Sequence, residues 1–371
     1  MDKKNKKMTI ALIIFGILLL SLICIFLYIA FKEDDNEIKY NNPKRIAEKY
    51  VKAILEKDYS TAYKYIYMPQ DMISSKKDYE EYIKTKKYYK DLEGKKYKDI
   101  VEISTESYQV LLNDKDDNIL KINVDLIERT INDFRVDEGD FIVPNVKITV
   151  PKGTTVKIND FELDENYLDS DTTYTKDYVI PNISKSKKKI TLDNVFGSKE
   201  EEIELKDEDN EYEFTIDLNK EEMKNKAYDF IKDAWNNMYI NYKSKKKVST
   251  VKKYFDSKFK TKDINKIYKT AFNKITKGRT QIGEYNNYKI SKIIDRPGVE
   301  NVVKSNEFIV LNFGYTLNWK WKFLKGDSSV KMTMNRYSSI CLKYDGKNFV
   351  IYDIIDNGLF NIANQYIRDF K

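Results

Sequence analysis

The first strong pattern along the chain is a stretch without charge. From Met8 to Phe31 there is no Asp, Glu, Lys or Arg, and Leu, Ile, Phe and Ala fill most positions. At 1.5 Å rise per residue, these 24 residues are long enough as a helix to cross a hydrocarbon layer of about 30 Å with some tilt. Lys3, Lys4, Lys6 and Lys7 precede the stretch and Glu33, Asp34 and Asp35 follow it, so the positive-inside rule predicts a cytoplasmic N-terminus. A cleaved signal peptide has a shorter apolar region and a small-x-small cleavage site, and Leu27–Phe31 makes a poor one. A lipoprotein needs a small residue before its acylated cysteine, and Ile23 precedes Cys24. The pattern therefore predicts an uncleaved transmembrane anchor over 8–31.

Beyond an acidic linker the period becomes helical. Ile46, Ala47, Tyr50, Val51, Ile54 and Leu55 recur at three- and four-residue spacing after Pro43, which suits a first helical turn. Asp58 or Ser60 is a plausible N-cap for a second helix, and the spacing predicts a third over Lys76–Lys90. From Asp99 the period changes to two, with strands expected at 100–103, 108–112 and 119–126. Asp114, Asp116 and Asn118 between them resemble a calcium loop. However, the position that loop needs as Gly is Ile119 and its bidentate Glu is Asp125, so a polar hairpin turn accounts for them without metal.

Residues 141–218 read as short strands at 146–150, 155–158, 178–180, 190–192 and 212–216, separated by Pro, Gly, Asn and acidic turns, a spacing that suits a β-sandwich. Helical periodicity returns at Glu221–Met238, around Val251–Phe255 and at Ile264–Ile275, with Gly278 as a stop. Long strands then follow over 288–294, 307–317, 331–342 and 349–353, the last two joined by a turn at Tyr344–Lys347. Helices followed by an antiparallel sheet predict a compact α+β domain.

Composition narrows the chemistry. The chain contains no histidine, which removes the commonest general base, the usual zinc ligand and both Ser-His-Asp and Cys-His catalysis. Cys24 lies in the predicted span and Cys341 stands alone beyond it, so no intramolecular disulfide is expected in the outer part. The abundance of Lys, Asn, Ile and Tyr, with few Gly and Pro, points to an AT-rich bacterial genome, and the absence of disulfides suits a Gram-positive surface.

The helical segment with Lys57-Asp58-Tyr59-Ser60-Thr61-Ala62, the β segment Val146-Lys147-Ile148-Thr149-Val150-Pro151-Lys152-Gly153-Thr154-Thr155-Val156-Lys157-Ile158-Asn159, and the C-terminal order of helices then sheet together resemble the ectodomain of TcaA-type proteins of Gram-positive bacteria. That resemblance implies a membrane anchor, a small helical domain, Ig-like β domains and an NTF2-like domain. It also implies an envelope role in wall metabolism or the response to glycopeptide antibiotics, without catalysis. The chain departs from the family in lacking a cytoplasmic zinc ribbon, since the few residues before the span include neither Cys nor His. Any zinc-dependent role is therefore not carried over.

The expected architecture is thus α+β and multidomain: a cytoplasmic tail (1–7), one transmembrane helix (8–31), a linker (32–41), a helical domain (42–94), a small β domain (95–140), an Ig-like β-sandwich (141–218) and a C-terminal NTF2-like α+β domain (219–371). Within the last, Trp319 and Trp321 alternate with Lys320 and so share one strand face. With Trp235, Tyr239 and Tyr315 they line either a ligand pocket or an ordinary core. Asp353 and Asp356 have no second converging group to form an acid/base pair, and no catalytic residue is expected.

The most basic stretch holds Lys243, Lys245, Lys246, Lys247, Lys252 and Lys253, and a second holds Lys185, Lys187, Lys188 and Lys189. Each is either a solvated face or a polyanion-binding patch, and outside a Gram-positive membrane the polyanions are teichoic acids and anionic lipids rather than nucleic acid. The expected function is a non-enzymatic, membrane-anchored binding protein that engages teichoic acid, peptidoglycan or another envelope protein, with no cofactor and no metal. An NTF2-like subunit of a conjugative or secretion channel is the alternative, and an accessory enzyme using pocket carboxylates a further one.

Overall fold

A computed structural model describes residues 41–86, 92, 94–206, 210–244, 246–267, 284–322 and 329–356. The predicted tail, span and nearly all of the linker lie outside these residues, and among the described residues no helix is long and apolar enough to cross a membrane. What is described is α+β with several sheets, in two compact units, one drawn from Met1–Gln70 and Ser75–Phe141, the other from Asp71–Ser74 and Ile142–Lys371.

In the first unit Asn42 caps helix α1 (Pro43–Leu55), its side chain accepting from the Arg45 N–H at 3.0 Å. Ile46, Ala47, Tyr50, Val51 and Ile54 form its buried face. Lys57, at φ 58, turns the chain out of the helix, and Asp58 caps the short α2 (Tyr59–Tyr63) by accepting from Thr61 N–H. After a two-residue strand, β1 (Met72–Ile73), a capping box of Ser75 and Asp78 starts α3 (Lys76–Thr85). The expected continuation to Lys90 does not occur at Lys86, whose backbone is extended, and 87–91 lie outside the described residues.

A meander follows in the order β2 (Lys96–Ser104), β3 (Ser107–Asn113), β4 (Ile119–Thr130), β5 (Asp133–Val136). Strict alternation in β3 buries Tyr108, Val110 and Leu112, and α1 packs across the sheet. In the 113–118 turn the Asp114 carboxylate accepts from the backbone N–H groups of Asp116 and Asn118, the Asn118 side chain and Lys95, which together hold its pKa well below the usual range. The turn's own backbone thus uses the acid that patterning compared with a calcium ligand.

The second unit begins with two sheets. One is ordered β1, β10 (Thr175–Ser184), β6 (Ile142–Pro151), β13 (Glu211–Glu213), with β9 (Leu168–Asp171) also pairing β10. The other is ordered β12 (Ser198–Glu204), β11 (Lys187–Asp193), β7 (Thr155–Ile158), β8 (Phe161–Glu162). Val146, Ile148 and Val150 from one sheet and Val156, Ile158, Ile190 and Leu192 from the other belong to a single apolar core. β1 lies between two helices of the first unit in sequence, yet pairs in parallel with β10 here.

Two expectations are corrected by this unit. The segment 198–204, where an acidic turn is expected, is a strand: Glu204 and Glu202 stand across from Lys187 and Lys189 of β11, and Lys189 also bridges Glu200 diagonally at 2.8 Å. The strand expected over 212–216 is two strands. β13 stays with β6, while β14 (Ile216–Asp217) pairs β16 (Val302–Val303) in a third sheet.

That third sheet runs β14, β16, β17 (Phe308–Lys322), β18 (Ser329–Tyr344), β19 (Phe349–Asp356), with β15 (Glu284–Asp295) along the other part of β17. Helix α4 (Glu221–Lys243) lies on it, and the helical pattern near 251 is a short 3-10 helix, Val248–Tyr254. Residues 261–267 are helical, while the rest of the helix expected to 275 and its Gly278 stop lie outside the described residues.

Two glycines permit close approaches within this unit. A Cβ on Gly197 would fall 2.1 Å from the Asp217 carbonyl oxygen, and one on Gly153, at φ +79, would fall 2.3 Å from the Asn306 Cβ. Gly197→Ala is expected to destabilise the unit by about 1–3 kcal/mol through overpacking, read as a lower urea midpoint by tryptophan fluorescence. An unchanged midpoint would show that the turn moves aside without cost.

Candidate functional site

Helix α4 repeats apolar residues at three- and four-residue spacing. Met223, Ala227, Ile231, Ala234, Trp235, Met238 and Tyr239 are all buried. The Asn236 side chain accepts from the Ile290 N–H at 2.8 Å and donates to its carbonyl at 3.2 Å, so one amide fixes the helix against β15. The odd positions of β17, Ile309, Leu311, Phe313, Tyr315 and Leu317, are fully buried beneath. Helix and sheet thus define an interior layer in which the sequence-predicted residues can be placed.

Three of them lie inside it: Trp235 is 3% exposed, Tyr239 4% and Tyr315 0%. The Trp235 ring meets Phe313 edge-on at 6.4 Å between centroids, and Phe313 lies 6.1 Å from Tyr315. Trp319 and Trp321 occupy β17, their backbones paired with Met332 and Val330, and their side chains lie outside the described ones. The Trp235 indole N–H is buried and has no acceptor among the described residues.

Patterning missed Arg336. It stands directly across from Tyr315 in the β17–β18 ladder and is half-buried. Its Nε and Nη2 are shut off from solvent without a hydrogen-bond partner among the described residues. The signal was present in the parity of β18, where Arg336 shares the even positions of Ser338, Ile340 and Leu342, all buried. The buried Nε and Nη2 of Arg336 and the buried Trp235 N–H make this layer suited to receiving acceptor atoms.

Two polar networks tie the helix to its neighbours, one to strand β15 and one to the 3-10 helix. Asp295 accepts from Lys224 at 2.6 Å, from the Tyr228 hydroxyl and from Asn301 at 3.3 Å. Further along, Asp233 accepts from the Tyr254 hydroxyl at 2.8 Å while Asn237 donates to both. Burial, reinforced by Asp233, pushes the Tyr254 phenol up to about 12, so it stays protonated at neutral pH.

The basic stretch is only partly described. Lys246, Lys247, Lys252 and Lys253 are exposed, and among the described residues none forms an ion pair with a carboxylate. Lys253 lies 4.8 Å from the Tyr254 ring, and buried Val251 and Tyr254 hold the 3-10 helix that carries the last two lysines. Lys245 and the Lys243 side chain lie outside the description. The second basic run is different in kind: it is β11, with Lys188 fully buried and donating to Ser184 and Ser186 at 2.7 and 2.8 Å.

The first unit contains a cavity of about 90 Å³ between α1 and the meander, with Tyr50, Ile54, Asp125, Asp137 and Glu138 on its wall. Burial pushes the Asp137 carboxyl up, and Asp125 and Asp140 add to this. Sequence patterning did not single it out: Asp125 lies within β4, while Asp137 and Glu138 follow β5. Glu138 is held by the hydroxyls of Tyr50 and Tyr82, and among the described residues no group of acids is arranged to hold a metal ion.

Comparison of the chain with protein-family models, with curated proteins and with solved structures gives no match.

The Asp295 network carries a pH prediction. Burial alone would raise this carboxyl, but Lys224, Tyr228 and Asn301 outweigh it and hold its pKa below the usual range. A carboxylate depressed on folding stabilises fully above its unfolded value of about 3.9, and that contribution is lost as pH falls through the folded value. Stability of the second unit is therefore expected to fall on acidification below about pH 4. Asp295→Asn should lower stability at pH 7 and flatten this acid limb in thermal melts. An acid limb as steep as in the wild type would exclude Asp295 as its source.

Proposed function

We propose that this chain is a membrane-anchored, extracytoplasmic binding protein of the Gram-positive cell envelope, of the TcaA-like kind, which engages an anionic wall component without catalysis. In this reading 8–31 is the span with a cytoplasmic N-terminus, the paired sheets around β6 and β11 are an Ig-like domain, and α4 on the six-stranded sheet is an NTF2-like domain. The uncharged run between a lysine cluster and an acidic run supports the anchor.

The observation that carries the binding role is the set of exposed lysines 246, 247, 252 and 253, without carboxylate partners among the described residues. Residues 2–7 hold +3 of the chain's net +7, so little overall excess remains beyond the span, and local clustering must supply the attraction. Lysines act here as point charges, which suits a flexible polymer of phosphates better than a shaped ligand. Ion pairs of this exposed kind contribute about 0.2–1 kcal/mol each, so four of them amount to about 0.8–4 kcal/mol, with tenfold in affinity at low salt near the lower part of that range.

The full-length chain is expected to bind purified wall teichoic acid at 0.05 M salt and to release it as salt rises, because the Debye length contracts to about 8 Å at physiological ionic strength. Replacing Lys246, Lys247, Lys252 and Lys253 with glutamine should weaken binding about tenfold at low salt and flatten the salt dependence. Absence of binding at low salt, or binding indifferent to the four substitutions, would overturn the proposal and favour recognition of a membrane partner.

A further inference from the structure

The lysine patch does not involve the interior of the C-terminal layer, where Arg336 raises a separate question. Its two unpartnered nitrogens are Nε and Nη2. These lie on the same edge of the guanidinium, the edge whose parallel N–H bonds grip two oxygens of one carboxylate or phosphate. Donors removed from water and left without acceptors are costly, and the cost is highest for a charged group. Its neighbours across and diagonally on the same sheet face are Tyr315, Phe313 and Leu317, all fully buried, so those two nitrogens lie shut off from solvent beside an apolar layer. A hydrated inorganic ion pays its full dehydration to enter such a place, whereas an acid carried on an apolar body offsets it by burying the rest of itself. On the facing helix the Trp235 N–H is a second buried donor without an acceptor among the described residues, on a ring that touches Phe313.

We propose that the layer between α4 and the sheet is a binding site for an amphipathic acid, with Arg336 gripping its carboxylate or phosphate through Nε and Nη2 and the Trp235 N–H donating to a further acceptor on the same molecule. The two residues are linked through contacting rings: Trp235 on Phe313, Phe313 on Tyr315, and Tyr315 opposite Arg336. Such a ligand shares only its negative charge with the wall polymer, and its site does not depend on the lysine patch.

The test is thermal melting and intrinsic tryptophan fluorescence of the full-length chain with octanoate and with octyl phosphate, using acetate, inorganic phosphate and octylamine as controls. At saturation one of the two amphipathic acids should raise Tm by about 5 °C, and which one does so separates carboxylate from phosphate recognition. Acetate, phosphate and octylamine should produce no comparable shift. Arg336→Met should fold and lose the shift, Arg336→Lys should weaken binding at least tenfold because it loses the fork, and Trp235→Phe should weaken it a few-fold while keeping the ring. If neither acid moves Tm or fluorescence in the wild type, or if Arg336→Met or Arg336→Lys responds as the wild type does, the site does not exist. Should the Met variant fail to fold, the Lys variant decides.

Discussion

The register of the β17–β18 ladder is the constraint on which the C-terminal layer depends. Its pairing runs unbroken from Phe308 opposite Lys343 to Lys322 opposite Ser329. Because side chains alternate across a strand, this pairing puts Leu311, Phe313, Tyr315 and Leu317 on the same face as Ser338, Ile340 and Leu342. A slip of one residue in β18 would bring Tyr337, Ser339, Cys341 and Lys343 inward against the helix. The same parity that builds the core puts Arg336 on the core-facing side, half-buried with its Nε and Nη2 shut off from solvent. The apolar residues on its face make the register costly to change, so the charge stays where the ladder puts it.

Helix α4 is set over that face by discrete polar contacts rather than by apolar area alone. Asn236 on β15 and the Asp295 network near the helix start fix its position along the sheet, and the Asp233–Tyr254 pair ties its middle to the 3-10 helix. Apolar burial is non-directional and contributes about 1.5–3 kcal/mol for a large side chain, so it tolerates small slides of helix on sheet. Hydrogen bonds at 2.6–2.8 Å do not. They define which helical residues face which strand positions, and so place Trp235 over Phe313.

Much of this was legible from periodicity. α1, its break at Lys57 and the strands β3, β7, β11 and β17 follow from apolar spacing and capping chemistry, and the burial of Trp235, Tyr239 and Tyr315 follows from their phase on helix and strand. The misses have separate physical causes. β12 is nearly all charged because it lies at the edge of its sheet, where its partner's lysines rather than a core decide its pairing. β13 and β14 read as one strand because the apolar alternation runs through Phe214 and Ile216 while the hydrogen-bonding partner changes from β6 to β16. Arg336 was hidden because its side chain implies solvent while its position in β18 implies core.

The two lysine runs show why charge along a sequence does not translate directly into charge on a surface. In β11 the strand period divides the run: Lys188 turns inward to Ser184 and Ser186, and Lys189 faces the glutamates of β12. Little of that charge is left to act at a distance. At 246–253 the backbone is a loop and a 3-10 helix, Val251 and Tyr254 take the buried positions, and no acidic strand lies alongside among the described residues. The lysines there keep their fields in water, and within a Debye length those fields add. The phase of the surrounding secondary structure thus decides which run is consumed within the fold and which keeps its charge at the surface.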